Sequence, residues 1–153
     1  MASETRVDDF EATMAQVRVL QNTVDPQTRP FDSKYQAVAL LRKLESALSD
    51  QLNTAGPNEH TLLKKQLRTV HYTAGVLNYE TEENAHAVKQ LKAFMELVDP
   101  KSEDYMDLEN VLMIIEANNH LCKVYFQREE YEQAEAVLIE AETLYEAYKS
   151  LNA

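Results

Sequence analysis

Four histidines, one cysteine and two pairs of adjacent glutamates are the side chains from which catalysis or metal binding would have to be built. His60, His71, His86 and His120 would need an i, i+4 pair and a third donor to hold zinc, and none stands at that spacing. Cys122 with distant histidines lacks any local sign of a cleft that would make it a nucleophile, and its surroundings suit a small buried filler. There is no glycine-rich phosphate loop and no serine-centred elbow. Glu82 with Glu83 and Glu129 with Glu130 stand where helices should start, where a carboxylate favours the positive end of the helix dipole, so they serve structure rather than acid-base chemistry. The sequence therefore describes no enzyme, no cofactor and no metal. The chemistry it supports is binding.

The elements that would present a binding surface are helices. Two glycines, four prolines and no tryptophan in 153 residues describe an almost wholly helical chain, with prolines where helices stop. A first helix is expected from Ser3, as N-cap, to about Asn22, burying Val7, Phe10, Met14, Val17 and Val24. Pro26 and Pro30 mark a connector. A second helix after Asp32 or Ser33 carries Tyr35, Val38, Leu41, Leu44, Leu48 and Leu52, and ends before Gly56 and Pro57. Asn58 should cap a third, with Leu63, Leu67, Val70, Ala74 and Leu77 on one side. Thr81 should cap a fourth, with Val88, Leu91, Phe94, Met95 and Val98, closed by Asp99 and Pro100. Ser102 should open a fifth through Tyr105, Leu108, Leu112, Ile115 and Cys122; the sixth spans about Glu130 to Tyr148.

Within Glu116 to Glu146, counting Cys122 as the eighth place of a 34-residue frame sets Leu121 at seven, Tyr125 at eleven, Ala134 at twenty, Leu138 at twenty-four and Ala141 at twenty-seven. This is the tetratricopeptide (TPR) helix-turn-helix pattern. A second copy lies 47 residues earlier, where Ala74, Gly75, Ala87, Leu91 and Phe94 share the frame and Glu82 and Glu83 overlie Glu129 and Glu130. The fold class expected is all-α: one domain over residues 1–153, a TPR-like α-solenoid of three antiparallel helical pairs at about 3–53, 58–98 and 102–149.

In such a stack the first helix of each pair lines a concave groove. The frame sets Thr69, Tyr72, Val76, Tyr79 and Glu80 there, then Glu116, Asn119, Lys123, Phe126 and Gln127. Tyrosines with an Asn and a Lys suit an extended or helical peptide. A carboxylate clamp like that of the chaperone-binding adaptors is excluded: Tyr72 and Val76 occupy its Lys and Asn places, and Glu116 would repel a terminal carboxylate. The last helix reads as unfinished, because Val137, Leu138, Ile139, Leu144, Tyr145, Tyr148 and Leu151 cover more than one stripe. Further repeats or a second copy of the chain should pack there.

A formal net charge of −11, from 26 acidic and 15 basic residues, opposes nucleic acid and anionic membranes and favours a basic partner. A single cysteine, no signal segment and no long uncharged run fit the reducing cytoplasm.

Three segments carry a more specific resemblance: SKYQAVALLRKL at Ser33 to Leu44, NYETEENAHAVKQL at Asn78 to Leu91, and ANNHLCKVYFQREEYEQAEAVLIEAETLYEAY at Ala117 to Tyr148. In order and over nearly the whole chain they resemble the N-terminal region of the KIF-binding protein family, TPR-type regulators of kinesin motors. Family members are several times longer, and the familiar vertebrate one carries an acidic insertion where the loop around Gly56 is short here. The resemblance implies a cytoplasmic, cytoskeleton-associated, non-enzymatic protein that binds kinesin motor domains and blocks their attachment to microtubules. The alternative is a general TPR scaffold that self-associates without regulating motors.

Overall fold

The computed structural model describes the backbone of residues 2–152 and the side chains of residues 9–152. Among these, six α-helices follow one another and no strand occurs: α1 (Ala2–Gln21), α2 (Asp32–Thr54), α3 (Pro57–Glu80), α4 (Asn84–Leu97), α5 (Leu108–Gln127) and α6 (Tyr131–Leu151). The architecture is all-α and TPR-like, with α3 packed on α4 and α5 on α6 as tight hairpins and α2 bridging α1 to α3.

The starts of these helices differ from the expected ones for reasons of backbone chemistry. Ser3 falls inside α1 rather than before it. Gly56 is the N-cap of α3 and Pro57 takes the first helical position, where its missing N–H costs nothing, so Asn58 lies within the helix. Thr81 closes α3 instead of opening α4; it is buried, and its Oγ1 donates to Asn78 O at 3.2 Å. Ser102 does not open α5, which starts six residues later at Leu108. Its hydroxyl donates instead to the Asp104 carboxylate, which also accepts from Arg68 Nη2 at 3.1 Å and ties the connector to α3. The Ser102 hydroxyl, then the Arg68 guanidinium, hold the Asp104 carboxyl below the usual carboxylate range. In the α1–α2 connector, Asp25 accepts from Ser33 N at 2.9 Å and from Ser33 Oγ at 2.5 Å, which pins the entry to α2.

The repeat seen in the sequence is reproduced in the backbone. Glu82 and Glu129 both adopt positive φ, 64° and 61°. The residues after them, Glu83 and Glu130, match at φ −92°, ψ 68° and φ −91°, ψ 68°. Glu83 N donates to Asn78 O and Glu130 N to Tyr125 O, each at 2.8 Å. Both turns thus use one left-handed residue to reverse the chain. Gly75 sits where α3 approaches α4 most closely: a Cβ there would lie 2.6 Å from Leu91 Cδ2.

Two apolar clusters form the core. The first joins Phe10, Met14 and Val17 of α1, Val38, Leu41, Leu44 and Leu48 of α2, and Leu63, Leu67, Val70, Ala74 and Leu77 of α3. The second joins Leu91 and Phe94 of α4, Val111, Ile114, Ala117, Leu121 and Tyr125 of α5, and Ala134 and Leu144 of α6. Each fully buried leucine or phenylalanine contributes about 1.5–3 kcal/mol over an exposed one.

Several expected core residues lie outside it. Val24 is 95% exposed because α1 ends before it. Tyr35 is exposed on the outer side of α2. On α5 the buried face is turned by about one residue from the expected stripe: Val111, Ile114, Asn118, Leu121 and Tyr125 are covered, while Leu108 and Leu112 are exposed and Ile115 and Cys122 are half-buried. The two asparagines on that face, Asn110 and Asn118, disguised it in the sequence. Leu138 is exposed as well. Val7 lies outside the described side chains.

Candidate functional site

α3 and α5 run side by side, and the polar and aromatic residues along their common face touch one another. The Tyr72 hydroxyl donates to the Glu116 carboxylate, and its ring packs 5.6 Å from that of Phe94. Burial, then the hydrogen bond and charge of Glu116, push the Tyr72 hydroxyl far above its ordinary pKa. Tyr72 is therefore a neutral donor near neutral pH.

Two turns along α3, Tyr79 meets His120 edge-on, with centroids 4.6 Å apart and rings inclined by 70°. His120 is itself held by Nδ1 donating to Glu116 O at 2.9 Å. Lys123 Nζ lies 5.9 Å from the Tyr79 centroid, within range of the ring's negative face. At the end of the face Asn84 Nδ2 donates to Gln127 Oε1 at 3.1 Å, and an open depression is lined by Tyr79, Glu80, Glu82, Asn84 and Gln127. Glu80 is engaged by Lys34 of α2 at 2.8 Å.

Of the residues expected to line a groove, Tyr72, Tyr79, Glu116 and Lys123 are joined by these contacts, with Val76 half-buried between the tyrosines on α3. Asn119 is exposed on α5, one turn before Lys123. Phe126 stands apart: it is 63% exposed and packs edge-on to Tyr131 of α6, with centroids 5.4 Å apart. His120 and Asn84 were not in the expected set. His120 follows Glu116 by one helical turn, a spacing that the sequence does show, but its ring contact with Tyr79 depends on how α3 and α5 pack.

The face combines aromatic area, amide groups and carboxylates with one lysine. Among the described residues no cluster of three or more His, Cys, Asp or Glu is placed to hold a metal ion, and no helix is long and apolar enough to cross a membrane.

No protein-family model and no solved structure matches the chain. Among curated proteins it is similar to the "KIF-binding protein" of Drosophila melanogaster, 35% identical over 136 residues, which cover 82% of this chain and 22% of that protein. It is also similar to the protein of the same name from Gallus gallus, 30% identical over 129 residues, 84% of this chain and 21% of that protein. A third, from Rattus norvegicus, is 28% identical over 164 residues, 92% of this chain and 26% of that protein. The chain spans about a fifth to a quarter of the length of these relatives.

Proposed function

We propose that this chain is a kinesin-binding module of the cytoplasm, whose α3–α5 face engages a kinesin motor domain and keeps it off microtubules. The observation that carries this is the similarity, across most of the chain, to proteins named for binding KIF motors. The geometry supports it: the Tyr72–Glu116 and Tyr79–His120–Lys123 contacts give a pre-formed surface, and pre-formed side chains lose little entropy on binding. The net charge of −11 supplies long-range attraction to a basic partner, and the motor surface that meets acidic tubulin is of that sign.

Microtubule co-sedimentation of a panel of kinesin motor domains, with and without this chain at two salt concentrations, tests the proposal. The expected result is a motor that shifts from pellet to supernatant, with a smaller shift at high salt. Unchanged co-sedimentation for every motor would overturn the blocking role, and a shift insensitive to salt would remove its electrostatic part.

A further inference from the structure

Residues 98–107 join α4 to α5 without a helix. Short turns hold them: Ser102 N donates to Asp99 O at 3.0 Å and Tyr105 N to Ser102 O at 3.2 Å. Turns of this kind open at little cost, so an enzyme can draw the segment out, and Ser102 is half-exposed within it. Its neighbours in sequence are acidic, with Asp99 three places before it and Glu103, Asp104 and Asp107 after it. Its neighbours in space include a row of bases: His60, Lys64 and Arg68 recur every four residues on one side of α3 and line one depression with Ser102, as do Glu96 and Asp99.

The serine already takes part in the contact that ties this connector to α3. Its hydroxyl donates to the Asp104 carboxylate, which accepts from Arg68 Nη2 at 3.1 Å. Arg68 is 7% exposed, and its Nε has no hydrogen-bond partner among the described residues. A guanidinium holds an oxyanion best through two N–H groups at once, and Asp104 engages Nη2 alone. We infer that Ser102 is a phosphorylation site for a protein kinase that reads acidic residues, and that the phosphate formed takes Arg68 from Asp104 with Lys64 as its second cation. The kinase transfers the γ-phosphoryl group of ATP: the bond from Ser102 Oγ to phosphorus forms as the bond from phosphorus to the β,γ-bridging oxygen breaks, ADP leaves, and the hydroxyl proton passes to the kinase's base. The hydrogen bond to Asp104 is lost with that proton, and a group of charge about −1.5 to −2 then stands against the carboxylate. Repulsion drives Asp104 away, while the phosphate oxygens offer acceptors to both Nε and Nη2 of Arg68. The connector becomes anchored to α3 through residue 102 instead of residue 104. None of this depends on the role proposed for the α3–α5 face.

Incubation of the chain with MgATP and acidophilic serine/threonine kinases, read by mass spectrometry, should give a phosphate at Ser102 that is absent in Ser102→Ala. Phosphoserine incorporated at residue 102 during synthesis supplies the same species for the variants. By phosphorus NMR that phosphate should titrate about half a pH unit or more below the phosphate of a peptide of residues 98–107, because adjacent cations favour the dianion. Lys64→Ala, at an exposed position, should move the midpoint back toward that of the peptide while Tm of the unmodified chain stays near wild type. Asp104→Asn, which should lower Tm of the unmodified chain, should no longer lower it once Ser102 is phosphorylated. No phosphate at Ser102, a midpoint at or above that of the peptide, or an undiminished cost of Asp104→Asn in the phosphorylated chain would each overturn the inference.

Discussion

The α3–α4 and α5–α6 hairpins share one turn, down to the positive φ of Glu82 and Glu129, yet differ in how far the equivalent leucine of the second helix is buried. On α4, Leu91 and Phe94 are fully buried, Leu91 against Gly75 of α3 and both in one cluster with residues of α5; on α6, Leu138 remains 41% exposed beside Tyr131 and Tyr145. Small residues close the inside of each hairpin, so the local code for the fold is repeated faithfully. Full burial of that leucine depends on the following helix as well as on the hairpin.

The largest expected effect separates the two leucines. Leu91→Ala should cost about 2–5 kcal/mol in urea unfolding, as a truncated leucine with no space to collapse, while Leu138→Ala should cost less than about 1.5 kcal/mol. Equal losses would break the comparison. Next is the close approach inside the first hairpin: Gly75→Ala should cost about 1–3 kcal/mol, because the new methyl meets the immobile Leu91 side chain. Cys122→Ala, at the equivalent and half-buried place, should cost less than about 1 kcal/mol, and thermal unfolding of both variants would measure the contrast.

The connector between the hairpins adds a smaller effect with a pH signature. Asp104→Asn should cost about 1–3 kcal/mol near neutral pH, since Arg68 is 7% exposed and loses its charged partner. The folded carboxyl of Asp104 is depressed, so its contribution is complete above the unfolded carboxylate pKa of about 4 and is lost as pH falls through the lower folded value. The gap between wild type and variant should therefore close in strong acid; a gap constant from pH 7 downward would contradict the ion pair. Smallest are the turns. Glu82→Gly and Glu129→Gly should each stabilise by under about 1 kcal/mol, by similar amounts, through relief of the left-handed conformation. Effects of opposite sign would show that the shared geometry hides different strain.

The number and type of the helices were legible because the prolines, Gly56 and three-to-four apolar spacings are local signals. So was the repeated turn, since Glu82–Glu83 and Glu129–Glu130 align in the sequence. Helix starts were less legible: Ser3, Asn58, Thr81 and Ser102 are good capping types, but α2 to α6 have no side-chain cap hydrogen bond at their starts. The side of α5 that packs was misplaced because Asn110 and Asn118 are buried where an apolar residue is the usual signal. At the candidate site, Tyr72, Tyr79, Glu116 and Lys123 followed from the frame, whereas the Tyr79–His120 contact is made by the packing of α3 on α5, which no local spacing encodes.

The most direct test of the central claim is the affinity, by calorimetry, of a kinesin motor domain for the wild-type chain and for Tyr79→Ala. Removal of the ring that meets His120 and Lys123 should weaken binding at least tenfold with the helical spectrum unchanged. Equal affinity for the two proteins, or no binding by the wild type, would contradict the assignment of the α3–α5 face.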